Sequence, residues 1–237
     1  MPNLHLFDLD DTLARTEVHI VPVWVEHMHN LMRKHGFAGT FQEFGARSAE
    51  FLNSHGHSMY GWGEFLGKSP EWMMGAIEEI SQHIHQPVID AVVPCPELVR
   101  LLQYLKDAGH TVAIATHGHA VYAVPVLTHL GILGSVVPPE LLFDLGRTNG
   151  QLKRDVETFR WIEGEIARYT GHATFDRKVL YEDSLPNLIA GQQAGYVRVF
   201  IKPRAEMEAK NIQVSREDCD AWFPDVQWAL REMHQFI

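Results

Sequence analysis

Two aspartates near the start of the sequence are the residues best suited to chemistry. Asp8 and Asp10 follow the short apolar run at residues 4–7, which predicts a buried strand ending in an acidic loop. Two carboxylates this close repel, and one would be protonated unless a cation lay between them. Mg²⁺ is the natural candidate, because hard cations take oxygen ligands and keep water molecules for a phosphate. One carboxylate could then attack phosphorus while the other gives a proton to the leaving oxygen.

Three further polar groups lie at the ends or starts of later predicted elements. Thr116 follows an apolar run and precedes a glycine-containing loop, whose amides together with the hydroxyl could bind an anion. Lys153 stands near the start of a predicted helix, where its ammonium group could neutralise a phosphoryl oxygen and the attacking carboxylate. Glu182 and Asp183 end another apolar run. A helix cap would account for only one of these two acids, so the pair favours a cation.

Each group also has an ordinary structural interpretation. Residues 8–12 could form an acidic turn, and Thr116 could cap a helix. A lysine such as Lys153 is usually solvated, and Arg147 and Arg154 are close enough in sequence to take its role. All the groups lie at the ends or starts of predicted elements, where one shared site could bring them together. The chemical interpretation is therefore favoured over a separate structural explanation for each group.

The elements around these groups alternate between strands and helices. Apolar runs predict buried strands at residues 4–7, 111–115, 178–181 and 197–200, with a weaker one near 141–143. Apolar residues at helical spacing predict helices at residues 96–108, 119–130, 155–169 and 185–194. Such alternation requires parallel crossovers, and we expect an α/β fold with a Rossmann-like, doubly wound parallel sheet.

A long segment between the first two strands does not follow this alternation. The pattern is helical from about residue 18 to 35 and in pieces from 40 to 86, with predicted breaks at 53–57, at 61–63 and at Gln86-Pro87. We therefore expect an α/β core made of residues 1–15 and 94–237, with a helical cap at residues 16–93. An insertion at this point lies above the carboxyl ends of the strands, where open α/β sheets bind ligands.

The cap would determine which substrates the site accepts. His55, His57, Tyr60 and Trp62 belong to a glycine-containing stretch and could contact a leaving group, although this stretch could equally pack on its own helices. Arg47 could meet a second anion.

Histidine pairs at 55/57, 83/85 and 117/119 suggest a transition metal. Zinc sites need three or four ligands at defined spacing, so we expect solvated or cap histidines instead. His117 is the exception, because its place beside Thr116 predicts a position near a bound phosphate.

Composition limits the partners. The chain has 237 residues and a net charge of −10, which disfavours nucleic acid polymers and anionic membranes. The absence of an 18-residue apolar run predicts no membrane span, and Asp8 and its acidic neighbours interrupt any signal-like start.

Two cysteines, Cys95 and Cys219, are typical of a reduced, cytoplasmic protein. We expect a monomer or homodimer, and the phosphorus chemistry suggested by Asp8 and Asp10 would make its substrate a small phosphorylated metabolite. The C-terminal residues Trp222, Phe223, Trp228 and Leu230 predict a segment docked on the core.

The polar groups together resemble the four motifs of the haloacid dehalogenase (HAD) superfamily. The matching residues are Phe7-Asp8-Leu9-Asp10-Asp11-Thr12-Leu13, Thr116, Lys153 and Glu182-Asp183-Ser184. The resemblance implies a phosphotransferase core with a helical cap inserted after the first motif. It further implies that Asp8 is the nucleophile that forms an aspartyl-phosphate. Asp10 would be the general acid and then the base that activates water.

The same resemblance implies the ligands of the metal and of the phosphate. Asp8, Asp183 and the backbone carbonyl of Asp10 would hold Mg²⁺, with Glu182 assisting. Thr116 and Lys153 would bind the transferring phosphoryl group, with His117 beside them.

The motifs also indicate a branch of the family. An acid at the position of Asp10 is typical of phosphatases and phosphomutases, whereas true dehalogenases lack it. Segments 153–156 and 183–188 are similar to the pyrimidine 5′-nucleotidase branch. Two departures concern the substrate: His117 stands where asparagine is frequent, and Arg154 where a proline commonly follows the lysine.

The leading hypothesis is therefore a Mg²⁺-dependent phosphatase of small phosphomonoesters, with nucleotides among the candidates. A phosphosugar mutase is the closest alternative, because residues 182–184 also resemble the β-phosphoglucomutase branch. A non-catalytic binding module, stabilised by a structural cation, is an alternative from a different class.

Overall fold

The computed structural model describes residues 1–232 and is centred on a six-stranded parallel sheet. In chain order the strands are β1 (Leu4–Phe7), β2 (Thr111–Ala115), β3 (Leu142–Phe143), β4 (Lys178–Glu182), β5 (Val197–Ile201) and β6 (Ala221–Phe223). Their spatial order is β3-β2-β1-β4-β5-β6, so the chain winds outward from β1 in both directions. The predicted α/β, doubly wound sheet is confirmed, and β1 lies at the point where the winding reverses.

The strand register brings three strand ends to one level. Phe7 pairs with Ile114 on one side and with Tyr181 on the other. The residues that follow β1, β2 and β4 therefore emerge together at the carboxyl edge of the sheet. All four residues of β1 are buried, as expected for a central parallel strand with both faces covered.

Helices cover the sheet between the strands. They are α5 (Pro96–Asp107), α6 (Ala120–His129), α7 (Val156–Thr170), α8 (Leu185–Gln193), α9 (Arg204–Ala209) and α10 (Val226–Glu232), with a short 3₁₀ turn at Pro139–Leu141. The leucines of α5 fall at helical spacing and are buried on one face. The N-cap of α7 is Asp155, whose side chain accepts from the amide of Glu157, and Gly171 ends the helix in the left-handed conformation.

Four helices lie between β1 and α5, in the segment that the sequence predicts to be helical in pieces. They are α1 (Glu17–Lys34), α2 (Phe41–His55), α3 (Ser58–Phe65) and α4 (Pro70–Ala91). They enclose a second apolar cluster with Trp62 fully buried, and its indole nitrogen donates to the Ser48 hydroxyl at 2.9 Å. Leu145 and Leu152 of the α/β part join this cluster. The four-helix segment is thus packed against the sheet domain through apolar contacts.

Two of the predicted breaks in this segment are wrong. Gly61 and Gly63 lie inside α3, where a Cβ at Gly61 would be 2.2 Å from Phe51 and one at Gly63 would be 2.1 Å from Met73. These glycines let neighbouring side chains approach the helix backbone. Pro87 lies inside α4, which continues to Ala91 because its face is buried in the core and packing outweighs the lost hydrogen bond.

The C-terminal segment contributes the edge strand β6, which the sequence predicted only as a docked segment. Three half-buried residues carry no readable alternation, so the strand has no clear signal. Leu230 is buried and Trp222 donates its indole N–H to the Lys202 carbonyl at 2.8 Å. The segment therefore docks on the core, although Trp228 itself is 51% exposed. Within residues 1–232, the helices are all too short or too polar to cross a bilayer.

Candidate active site

A buried lysine joins the ends of three strands. The Lys153 ammonium contacts Oδ1 of Asp8 and donates to Oε2 of Glu182 at 2.7 Å and to the Ala115 carbonyl at 2.9 Å. Its side chain is only 3% exposed. Three acceptors around three N–H bonds satisfy the ammonium group fully, so Lys153 is not the solvated lysine that its sequence position alone would suggest.

The charges in this cluster shift one another. Burial raises the pKa of Asp8 to about 6 and that of Glu182 to about 8, although Lys153 opposes both shifts. For Lys153, burial would lower the pKa, but the two carboxylates raise it above its usual value. The lysine therefore stays charged. The raised pKa values of the two carboxylates favour their protonated forms until a further cation compensates their negative charge.

The loop before α7 holds Lys153 in place. The Lys153 amide donates to Nε2 of His117 at 2.8 Å, which requires a neutral imidazole with its proton on Nδ1. Burial lowers the pKa of His117 and the nearby charge of Lys153 lowers it further. The Asp144 carboxylate accepts from the amides of Ala120 at 2.8 Å and of Gly146 at 3.0 Å, which ties this loop to the start of α6.

Asp10 is held by two hydroxyl groups. The Tyr122 hydroxyl donates to Oδ1 at 2.5 Å and the Thr16 hydroxyl donates to the same oxygen at 2.6 Å. Desolvation raises the pKa of Asp10, and these two donors oppose the rise. Both hydroxyls act on one oxygen. Neither Thr16 nor Tyr122 is found by the sequence reasoning, because a tyrosine among apolar helix residues is typical of a core position.

Asp11 anchors the loop that carries Asp10. It adopts a left-handed backbone conformation with φ of 56°, and its Oδ1 accepts from the amides of Thr16 and Glu17 at 3.1 Å each. These bonds satisfy free amides at the start of α1 and fix the path from β1 into the helical segment.

Asp183 pairs with a second buried lysine. The Lys202 ammonium donates to Oδ2 of Asp183 at 2.7 Å, and Lys202 is only 4% exposed. A lysine in the turn after a strand is typically solvated, whereas Lys202 is buried. The sequence could have indicated this position, because Lys202 directly follows the apolar run of β5 just as the acids follow β1 and β4.

Three carboxylates converge beside these lysines. One oxygen each of Asp8, Glu182 and Asp183 lies within 4.8 Å of the others. Desolvation raises the pKa of Asp183, and repulsion from Asp8 adds to the rise. An all-oxygen set of this kind suits a hard divalent cation, so the donor chemistry fits the metal that the sequence implied. The Asp10 side chain is not in this set, because its carboxylate is turned toward Tyr122 and Thr16.

A cavity of about 620 Å³ opens over these groups. Of the predicted residues, it is lined by Asp8, Asp10, His117, Lys153, Glu182 and Asp183. Its other walls include the end of α2, at Leu52, Asn53 and Gly56, and three cations, Arg154, Lys202 and Lys210. The structure thus brings most of the predicted catalytic residues to one hollow between the sheet and the helical segment.

Thr116 is placed differently from the other predicted site residues. It is 2% exposed and its hydroxyl accepts from the Gly118 amide at 2.9 Å. It lies at the expected strand end but is not among the residues that line the cavity.

The cap residues named from the sequence lie outside the cavity wall. His55 pairs with Glu64, Tyr60 donates to the Gly150 carbonyl at 2.6 Å, and the Arg47 guanidinium lies 4.4 Å from the centre of the Phe65 ring. His57 accepts from an amide at the start of α3, and Trp62 is core. These contacts favour the alternative interpretation, in which these side chains pack within the protein. His57 lies close enough to His117 to lower its pKa.

Arg147 does not occupy the position that the sequence left open between it and Lys153. Its guanidinium donates to the Leu142 carbonyl at 2.9 Å and lies 4.4 Å from the centre of the Phe143 ring. These contacts brace the edge strand β3, which leaves the buried position to Lys153.

Comparison with known proteins relates this geometry to one family. The family model of haloacid dehalogenase-like hydrolases matches residues 5–196. Among curated proteins, none is a significant match to the sequence.

Several solved structures share the fold along almost the whole chain. A hydrolase from Pseudomonas syringae is 18% identical with a TM-score of 0.66, covering 99% of both chains. A HAD phosphatase from Thermococcus onnurineus is 18% identical with a TM-score of 0.62, covering 99% of this chain and 98% of its own. A β-phosphoglucomutase from Clostridium difficile is 17% identical with a TM-score of 0.62, covering 99% and 96%. These likenesses concern the fold, and the family match over residues 5–196 shows that the chain belongs to the haloacid dehalogenase-like hydrolases.

Proposed function

We propose that this hydrolase is a Mg²⁺-dependent phosphatase that cleaves small phosphomonoesters through an aspartyl-phosphate on Asp8. The observation that carries the proposal is the buried contact of Lys153 with both Asp8 and Glu182 beside a cavity that Asp10 also lines. Phosphoryl transfer asks mainly for positioning and charge neutralisation, and this arrangement offers both.

Asp8 is the proposed nucleophile. Lys153 fixes one carboxylate oxygen from the side of the loop before α7, so that Asp8 has a single orientation toward the cavity. A new bond forms between an Asp8 oxygen and phosphorus while the bond from phosphorus to the ester oxygen breaks. The charged Lys153 also stabilises the negative oxygens of the phosphoryl group during the transfer.

Asp10 is the proposed acid and base. Its raised pKa lets it hold a proton, which it gives to the leaving ester oxygen. Ionised Asp10 then takes a proton from the water molecule that attacks phosphorus. The bond between phosphorus and Asp8 breaks, and inorganic phosphate leaves. Tyr122 and Thr16 hold Oδ1 throughout, so the proton is exchanged at the other oxygen.

Asp8 and Asp183, with the backbone carbonyl of Asp10, are the proposed ligands of Mg²⁺. Lys153 contacts one oxygen of Asp8 and Lys202 one oxygen of Asp183, which leaves the second oxygen of each carboxylate for the ion. When bound, the ion neutralises phosphoryl charge. Glu182 accepts from Lys153 and from the Ser184 amide, so we assign it to holding the lysine.

The helical segment at residues 16–93 is the proposed cap. It leaves the core directly after the loop of Asp10, and the end of α2 contributes part of the cavity wall. We infer that residues 1–15 and 94–237 are the core that carries the chemistry. The described part of that range ends at residue 232.

The test is hydrolysis of p-nitrophenyl phosphate with Mg²⁺ and with EDTA. We expect metal-dependent turnover in the unaltered protein and a loss of roughly 10³-fold or more in Asp8→Asn, because no nucleophile remains. Asp176→Asn, at an exposed aspartate that pairs with the N-terminus, is the matched control. Undiminished turnover by Asp8→Asn would overturn the proposal, and metal-stabilised folding without turnover on any phosphomonoester would favour a binding module. A phosphoenzyme that resists water would favour a phosphosugar mutase.

A further inference from the structure

Arg154 lies at the cavity wall between the core and the helical segment. It stands between Lys153, whose amide is bonded to His117, and Asp155, whose side chain caps α7. Both neighbours are fixed by hydrogen bonds, so the backbone of Arg154 is fixed as well. Lys153 turns into the protein, whereas Arg154 is exposed and lines the cavity.

The end of α2 is shaped to receive this arginine. Gly56 terminates the helix with φ of 77°, a conformation that favours glycine. A Cβ at Gly56 would lie 2.5 Å from Cδ of Arg154 and 2.6 Å from Nη1. The arginine therefore packs directly against the backbone of Gly56, and any side chain there would displace the guanidinium from the cavity wall.

The three lysines around the cavity each pair with a carboxylate, whereas Arg154 does not pair with one among the described residues. Lys153 contacts Asp8 and Glu182, Lys202 contacts Asp183 at 2.7 Å, and Lys210 contacts Glu17 at 3.3 Å. Within the described residues 1–232, Arg154 has no carboxylate within 4.0 Å and no hydrogen bond.

We infer that Arg154 binds a second oxyanion carried by the leaving group of the substrate. The inference rests on the proposed phosphatase function and narrows its substrate class to phosphomonoesters whose alcohol part bears a carboxylate or another phosphate. A guanidinium binds either group through two parallel N–H bonds, which also orients the leaving group. The phosphoryl group of the same substrate would occupy the Lys153 side of the cavity.

The experiment compares matched substrates that differ in the second anion. One pair is 3-phosphoglycerate and glycerol 3-phosphate, and the other is 1,3-propanediol bisphosphate and propyl phosphate. We expect the unaltered protein to favour the acidic member in kcat/KM. Arg154→Gln should reduce that preference roughly tenfold or more, chiefly through KM, because a charge-assisted contact to the leaving group is lost. Arg154→Lys should restore part of it, since the charge remains without the paired geometry. The two pairs separate a carboxylate from a phosphate as the preferred group.

Arg160→Gln is the matched control, because Arg160 lies on the same helix α7 and pairs with Glu157 at the exposed surface. It should leave the preference of the unaltered protein intact. Equal hydrolysis of both members of each pair, or an Arg154→Gln variant with the original preference, overturns the inference while hydrolysis of p-nitrophenyl phosphate still supports the phosphatase. Failure to hydrolyse any phosphomonoester overturns both.

Discussion

At the scale of single residues, the site depends on how each carboxylate is held. Asp8 is held by a buried ammonium group and Asp10 by two neutral hydroxyls. The two acids therefore lie in different surroundings although they are only two residues apart. Such a difference is what lets one carboxylate act as a nucleophile and the other carry a proton.

Tyr122→Phe tests the role of the hydroxyls. Loss of the 2.5 Å donor to Asp10 removes a bond that stabilises the carboxylate, so the pKa of Asp10 should rise. Cleavage of the ester requires protonated Asp10, so the alkaline limb of the kcat/KM profile should move to higher pH, with a fall in kcat of roughly tenfold. The measurement is the pH profile on an alkyl phosphomonoester such as glycerol 3-phosphate, because an alkoxide leaving group needs the proton that Asp10 gives whereas p-nitrophenolate does not.

Tyr169→Phe is the control for that variant, because Tyr169 is an exposed tyrosine on α7. Its profile should match that of the unaltered protein. An unmoved alkaline limb in Tyr122→Phe would mean that the hydroxyl does not act on the acid.

The sequence identifies the acids of the site that follow strands, and it misses Tyr122, which lies on a helix, and Lys202, which follows a strand. Asp8, Asp10 and Asp183 each follow an apolar run that can be read directly. Tyr122 reaches Asp10 across 112 positions, and that meeting depends on where α6 packs. Lys202 was readable by the same rule as the acids, but a lysine is so often solvated that its burial was not expected.

At the scale of elements, the register of β1 decides the site. Because Phe7 pairs with Ile114 and Tyr181, the residues just beyond three strands share one edge. A slip of one residue would turn every side chain of β1 to the opposite face. Lys153, which comes from a loop and not from a strand, is placed by contacts that only the folded chain provides.

Asp144→Ala tests the placement of that loop. The Asp144 carboxylate accepts from the amides of Ala120, Gly146 and Arg147. Its removal leaves these amides without their acceptor, which should lower the free energy of unfolding by about 1–3 kcal/mol. Turnover should fall as well, because Lys153 loses its support. Urea unfolding and p-nitrophenyl phosphate turnover measure the two effects.

Asp107→Ala serves as the comparison, since Asp107 is an exposed residue at the end of α5 that accepts a hydrogen bond from Gln103. It should change stability by less than about 0.5 kcal/mol. An Asp144→Ala variant with full turnover would show that the loop does not need this anchor to hold the lysine.

At the scale of the whole molecule, the net negative charge of the chain does not determine the local charge at the site. The chain carries a net charge of −10, yet Lys153 and Lys202 are buried beside the acidic cluster. Local compensation of this kind lets an acidic protein bind an anionic substrate. The doubly wound parallel sheet was predictable from the alternation of strand and helix patterns, and the helical insertion from the segment in which that alternation stops. The edge strand β6 and the cavity wall at α2 were not, because they depend on packing between distant segments.

Metal binding should be visible in the stability of the whole chain. A ligand that binds only the folded state at about 100 times its Kd stabilises it by about 2.7 kcal/mol, and for a chain of this size this corresponds to a rise in Tm of roughly 5–10 °C. We expect Mg²⁺ to raise Tm in the unaltered protein and to have almost no effect on Asp183→Asn. Differential scanning fluorimetry with Mg²⁺ and with EDTA measures the shift.

Asp90→Asn is the matched control, because Asp90 is exposed on α4 and accepts a hydrogen bond from Gln86. It should keep the full Mg²⁺ shift. The same shift in Asp183→Asn would contradict the assignment of Asp183 as a ligand.

The most direct test of the central claim is to trap the covalent intermediate. The protein is mixed with a phosphomonoester labelled in its phosphoryl group, quenched in acid within a single turnover, and mapped by peptide mass spectrometry. We expect the label on the peptide that contains Asp8, and no label on that peptide in Asp8→Asn. Turnover without a labelled Asp8 peptide, or a label on another residue, would contradict the account.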